Sequence, residues 1–390
     1  MSSTAAIDQS PRWVDALAGV GLDDGAPSPA PDLALFFASP EYSEIDSLVA
    51  QAYRRTAASV LIGCTGGVIG PDREIEDENA VSLLNLDLPG VELHPRHIEN
   101  DDLLTLRAPA DWHSWLGLPP ERVNAWIVLA DPFTCDPDGL IQALSAAYPD
   151  KTIAGGLASG SPSARGTALF LNGEVHRYGA ILLAVGGAYS VQSIVAQGAA
   201  PIGQPWAITG VERNILRTIG NRPALEVLRE TLNGLDGATR ERAARNLLVG
   251  LAMDEYRETF QQGDFLIRNL VGVDPDSGAL AIGALPEVGQ TIQFQVRDAE
   301  AADQDLKRQL VTARERLDTT EVAGALLCTC NGRGVGLFGS SDHDARAVSE
   351  ALGPLPLAGF FCNGEIGPVG ARTYLHGFTA SLALFVPVDR

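Results

Sequence analysis

Apolar runs of strand length and apolar positions at helical spacing alternate along this chain, and one arrangement of them recurs three times. In the first unit, Leu33 to Ala38 is an unbroken apolar strand. A helix follows with Ile45, Leu48, Val49, Ala52 and Tyr53 on one face and Ser43 with Asp46 as a capping box. Strand Ser59 to Cys64 comes next, and Ala80 to Leu86 returns as another. The second unit has strand Ala125 to Ala130, a helix opened by Asp136 and Pro137 with Leu140, Leu144, Ala147 and Tyr148 inward, and strand Thr152 to Leu157. Strands Thr167 to Leu171 and Ala180 to Val185 then flank the hairpin signal Asn172-Gly173. The third unit has strand Gly324 to Thr329, a helix capped by Ser341 and Asp344 with Val348 and Leu352 inward, strand Leu357 to Cys362 and a last strand His376 to Phe385.

Between the second and third units the pattern predicts a helix over Ala224 to Leu232 and strands near Asp264 to Gly272 and Gly278 to Ala284. A long helix over Asp298 to Leu317 carries Ala302, Leu306, Leu310, Ala313 and Leu317 in register. Ahead of the first unit, Ser10 and Pro11 open a short helix with Trp13, Leu17 and Val20 on one face, and Gly21 to Asp32 reads as a linker. The expected class is α/β in the α+β sense: mixed, largely antiparallel sheets with helices on their faces, built from recurring strand–helix–strand–strand units. With 390 residues, two domains are expected after an N-terminal helix and linker at 1–30, one over 31–220 and one over 221–390.

The second strand of each unit dissolves into glycine. The three places are Ile62-Gly-Cys-Thr-Gly-Gly-Val-Ile-Gly70, Ala154-Gly-Gly-Leu-Ala-Ser-Gly160 and Ala358-Gly-Phe-Phe-Cys-Asn-Gly-Glu-Ile-Gly-Pro368. Glycine permits unusual backbone geometry and close approach of a ligand to the main chain. Equivalent positions in three units imply one shared pocket made of turns. The candidate ligand-binding residues are therefore Gly66, Gly67, Gly155, Gly156, Asn331, Arg333, Asn363, Gly364 and Glu365. Arg333 and Glu365 are the charged members of the third unit's turns. A zwitterion needs a planar donor for its carboxylate and an acceptor for its ammonium, which Arg and Glu supply. The alternative is that the two side chains pair with each other as a structural ion bridge.

Composition narrows the partners. A net charge of −21 disfavours nucleic acid and anionic membrane surfaces. No apolar run approaches the length of a membrane span, and residues 1–30 do not read as a signal peptide. Five cysteines without a leader fit reduced thiols in a cytoplasm. No cofactor is implied. The glycines at 66, 67 and 70 lack a following Lys for a phosphate loop, and Cys328-x-Cys330 is not a zinc-knuckle spacing. The acids Asp72, Glu74, Glu76, Asp77 and Glu78 read as a solvated loop.

The order of these motifs resembles the FIST domain proteins, which pair a FIST N with a FIST C domain. The first half of the likeness runs from Leu33-Ala-Leu-Phe-Phe-Ala-Ser39 through the first two glycine turns and Leu169-Phe-Leu-Asn-Gly173 to Gln197-Gly-Ala-Ala-Pro-Ile-Gly203. The second half includes Pro223-Ala-Leu-Glu-Val-Leu228, Asn331-Gly-Arg-Gly334 and Gly359-Phe-Phe-Cys-Asn-Gly-Glu-Ile-Gly-Pro368. The resemblance implies sensing of small ligands, amino acids among them. This sequence carries no F-box or signalling module, so its output would pass through a separate signalling protein.

Cys330 is the candidate for chemistry. It abuts Arg333, whose charge would favour the thiolate, but no base partner is identifiable. Three readings follow. The first is a non-enzymatic cytoplasmic ligand-binding sensor. The second is a cysteine-dependent enzyme using Cys330, and the third is an interaction scaffold in which the glycine turns only shape the fold.

Overall fold

The computed structural model describes residues 3–22, 30–160 and 166–388. Much of the expected linker, residues 23–29, lies outside them. Strand outweighs helix, 39% against 27%, in mixed and antiparallel sheets, so the class is α+β. Two compact units are present. One comprises Met1–Val195, Leu306–Leu375 and Thr379–Arg390, the other Ala196–Asp305 and His376–Phe378. Strands from both halves of the chain thus share the larger unit.

The larger unit holds three six-stranded sheets with a common centre. Each centre is a parallel pair flanked by an antiparallel strand. The pairs are Leu33–Ala38 with Val60–Thr65, Ala125–Ala130 with Thr152–Leu157, and Gly324–Cys330 with Leu357–Cys362. The flanking strands are Val81–Leu86, Ala180–Gly187 and Thr379–Pro387. After the second strand of each pair the chain does not stay on its own sheet. Val68–Ile69, leaving the first unit, pairs with Leu357–Cys362 of the third. Glu365–Val369, leaving the third, pairs with Thr152–Leu157 of the second. Leu169–Leu171, leaving the second, pairs with Val60–Thr65 of the first. The exchange closes on itself, and each glycine turn lies at or just before a crossing from one sheet to the next.

The inward faces make one core from all three sheets, with Leu35, Phe37, Ile127, Leu129, Leu326 and Phe360 fully buried. Phe37 and Phe360 stack there at 4.9 Å between ring centroids. Helix Ile45–Thr56 covers the outer face of the first sheet and Pro137–Ala147 that of the second. Their expected apolar faces, Leu48, Val49 and Ala52 in one and Leu140 and Leu144 in the other, are buried.

The smaller unit is an antiparallel barrel. Thr291–Arg297, Trp206–Glu212, Ile215–Ile219, Ala279–Ile282, Phe265–Asp274 and Leu247–Ala252 follow one another, and the last pairs back to the first. Helix Ala224–Asn233 buries Leu225, Val227 and Leu228 among Ile208, Val249 and Phe294.

Several local expectations are corrected. The helix at Ile45 starts after Glu44 with no side-chain cap, so Ser43 and Asp46 form no capping box. The helix His343–Leu352 starts after Asp342, and Asp344 is a buried ion-pair partner instead of a cap. Asn172 and Gly173, both at positive φ, turn Leu169–Leu171 into Glu174–His176, whereas Ala180–Gly187 belongs to the second sheet.

Candidate functional site

The three strand-end turns meet because the exchanged strands hold their backbones together. Ser159 N donates to Thr65 O at 3.0 Å, Phe361 N to Gly67 O at 2.8 Å, and Asn363 N to Leu157 O at 3.0 Å. Leu157 N donates to Gly364 O at 2.8 Å and Asn331 N to Cys362 O at 3.0 Å. Glycine is required for this closeness at two places. A Cβ on Gly66 would stand 2.7 Å from Phe361 O, and one on Gly155, whose φ is +141°, would stand 1.9 Å from Val128 O. The glycines at 66 and 155 therefore serve packing of backbone on backbone. Gly156 pairs with Glu365 across the second crossing.

Above this knot is a cleft of about 320 Å³. It is lined by Gly67 from the first turn, Ser159 and Gly160 from the second, Phe361 and Asn363 from the third, and Asn331 from the neighbouring strand end. Pro40, Glu41, Glu76 and Asp77 complete it. Its floor is a chain of amides: Asn331 Nδ2 donates to Asn363 Oδ1 at 2.9 Å, and Asn363 Nδ2 donates to Ala158 O at 3.1 Å. Asn331 Oδ1, Glu41, Glu76 and Asp77 leave the lining rich in acceptors. Among the described residues, every charged one in the lining is a carboxylate. Such a surface favours a ligand with several N–H donors and a positive charge.

Two of the predicted charged residues do not line it. Arg333 is 1% exposed and spends its Nε and Nη2 on Asp344, at 2.6 and 2.8 Å. Glu365 is fully buried. Its Oε2 accepts from Thr379 N and Oγ1 at 3.0 and 2.6 Å, and its Oε1 accepts from Cys362 Sγ at 3.1 Å. They are not bridged to each other. Burial pushes the Glu365 carboxyl up to about 7, against the pull of those hydrogen bonds and of Arg333. Burial also works against ionisation of Asp344, but the Arg333 charge and hydrogen bonds outweigh it and hold the carboxyl well below the ordinary range.

The acid run after the first turn was read as solvated; Asp72, Asp77 and Glu78 are exposed, but Glu74 is buried and Glu76 half-buried. Glu74 sits in the short exchanged strand Glu74–Ile75, 7% exposed, and its Oε1 accepts Ala345 N at 2.8 Å. Burial, reinforced by Asp344, lifts its carboxyl to about 7. Glu76 Oε1 accepts Val335 N at 2.7 Å while also lining the cleft. Glu41, Glu76 and Asp77 are thus charged lining residues that sequence reasoning missed. For Glu76 and Asp77 the available signal was the apolar pair ahead of them, Val68-Ile69, too short to be a strand alone.

Among the five thiols, Cys330 is half-buried and the others are buried. Among the described residues no cluster of side chains is arranged to hold a metal ion, and no helix is long and apolar enough to cross a membrane.

Two family models match the chain, the FIST N domain over residues 32–222 and the FIST C domain over residues 224–368. An uncharacterized protein of Mycobacterium tuberculosis is 40% identical over 367 residues, 91% of either chain. An uncharacterized protein of Mycobacterium bovis is 37% identical over 391 residues, covering 98% of this chain and 95% of its own. A shorter likeness, 32% over 105 residues, is to an F-box/LRR-repeat protein of Arabidopsis thaliana and covers 26% of this chain. FIST domains are generally regarded as small-ligand-binding sensory domains.

Proposed function

Because the chain belongs to the FIST domain family and carries both its N and C domains, we propose that it is a cytoplasmic sensor for a small amine-bearing metabolite such as an amino acid. The ligand sits in the cleft formed by the three exchanged turns. The observation that carries this reading is the lining itself: turns from three sheets converge on one cavity, its charges among the described residues are Glu41, Glu76 and Asp77, and its floor is the Asn331–Asn363 pair. A cavity of about 320 Å³ suits a molecule of amino-acid size. The carboxylates supply the counter-charge for an ammonium group, and the amides fix orientation.

Arg333 and Glu365 act in this reading as the support beneath the floor. In this reading occupancy is passed to a separate signalling partner.

The test is a thermal-shift and calorimetric comparison of free amino acids and simple amines with their N-acetylated forms. A bound ligand at a hundred times its dissociation constant adds about 2.7 kcal/mol of stability. Stabilisation is expected from free amines and not from acetylated ones, and Asp77→Asn with Glu41→Gln should weaken it. Equal binding of acetylated and free forms would overturn the assignment.

A further inference from the structure

The strands Gly324–Cys330 and Leu357–Cys362 run parallel, and their register sets Cys330 opposite Cys362. Registered residues on adjacent strands project to the same face of a sheet. Two thiols therefore stand side by side at the strand ends, one half-buried and one fully buried.

Each has a different neighbour. The Cys330 sulfur accepts the backbone N–H of Gly332 at 3.4 Å. A tight turn, Arg333 N to Cys330 O at 2.7 Å, folds the arginine back over this residue. One edge of the guanidinium is filled by Asp344, while the buried Nη1 on its other side has no hydrogen-bond partner among the described residues. Burial works against the guanidinium's charge, and Asp344 is the group that chiefly sustains it. A buried charged donor without a partner is costly. A thiolate, or an oxygen carried on the Cys330 sulfur, would supply the acceptor. The Cys362 thiol in turn donates to Glu365 Oε1.

We propose that Cys330 and Cys362 are a redox-active pair whose substrate is a hydroperoxide. The Cys330 thiolate attacks the O–O bond and gains one oxygen as a sulfenic acid. The departing oxygen takes a proton from water and leaves as an alcohol, or as water when the oxidant is hydrogen peroxide. Cys362 then passes its proton to Glu365, and its sulfur displaces hydroxide from the sulfenic sulfur. The hydroxide recovers the proton and leaves as water. Two thiols are oxidised to one disulfide, the peroxide is reduced, and an external dithiol restores the pair. Cys330 is the half-buried member of the pair, so peroxide reaches it before Cys362. This inference is independent of which ligand the cleft holds.

The test uses the full chain, reduced, desalted and exposed to an equimolar amount of hydrogen peroxide, then alkylated and digested without reductant. Mass spectrometry is expected to find a Cys330–Cys362 cross-linked peptide and reduced Cys64, Cys135 and Cys328. In Cys362→Ser a dimedone-reactive sulfenate should accumulate at Cys330, because its resolving thiol is gone. Arg333→Lys should slow that first oxidation while Cys330 remains the oxidised site. A Cys330 that stays reduced in the wild-type chain, or a cross-link to any other cysteine, overturns the proposal. That readout needs no variant to fold.

Discussion

Removing Arg333 alone should damage the fold far more than removing both members of its ion pair. Arg333 and Asp344 are each 1% exposed and joined by two short charge-assisted bonds. In Arg333→Met the carboxylate keeps only Thr329 Oγ1 at 3.2 Å and His343 Nδ1 at 2.9 Å. Stripping one partner from a buried pair costs about 3–5 kcal/mol, because the other charge stays in the low-dielectric interior. For a unit of this size each kcal/mol lowers the midpoint by about 2–4 °C, so a fall on the order of 10 °C is expected. The double variant Arg333→Met with Asp344→Leu removes both charges and leaves the Thr329 hydroxyl short of an acceptor, at about 1–3 kcal/mol. Its total cost should therefore fall below the sum of the two singles by at least about 3 kcal/mol. Urea melts followed by circular dichroism, with the two compact units fitted as separate transitions, give the four corners of the cycle. Singles costing under about 1 kcal/mol, or additivity within about 0.5 kcal/mol, would show that the pair is solvated.

Other outcomes follow from the same geometry. Glu365 and Glu74 both titrate near 7 when folded, above the unfolded value of 4.5. The native state therefore holds extra protons between those limits, and stability should fall as pH rises from about 4.5 to 7, by at most about 1.4 kcal/mol per unit for each group. Glu365→Gln, which mimics the protonated acid, should flatten that slope; an unchanged profile would mean that Glu365 is not buried as described. Gly66→Ala places its Cβ 2.7 Å from a backbone oxygen, and should cost about 1–3 kcal/mol together with loss of amine-dependent stabilisation. Gly336→Ala meets nothing within 4 Å in its helix, and should be neutral or stabilising by up to about 1 kcal/mol in the same melts.

The recurring units were readable from sequence because each strand of a parallel pair is buried on both faces, which leaves an unbroken apolar run such as Leu33–Ala38 or Ala125–Ala130. Elements with weaker periodicity escaped. Val91–Ile98 is a half-exposed edge strand containing Pro95, and proline argues against strand in any local reading. In the smaller unit, Trp206–Glu212 and Ile215–Ile219 mix buried and exposed positions and were not anticipated, and the buried strands Leu247–Ala252 and Thr291–Arg297 were missed as well. The cyclic exchange had no local signature, since pairing of Val68–Ile69 with Gly359 and Phe360 joins residues nearly three hundred positions apart.

That exchange also decides which charged residues face the ligand. Sequence proximity to a glycine turn suggested Arg333 and Glu365. In a structure where each turn is covered by the next unit's strand, a residue beside the turn is driven inward, and its charge must be compensated there. Arg333 finds Asp344 from the following helix, and Glu365 finds Thr379 from the returning strand. The residues that face the cleft come from beyond the crossing, as Glu76 and Asp77 do, from neutral strand ends, as Asn331 and Asn363 do, or from just after the first strand, as Glu41 does. The same inward placement makes the Arg333 guanidinium a fixed positive group beside Cys330, without exposing it to compete for a ligand's carboxylate. The arginine stays with Asp344 in the interior, and the carboxylates Glu41, Glu76 and Asp77 line the cleft.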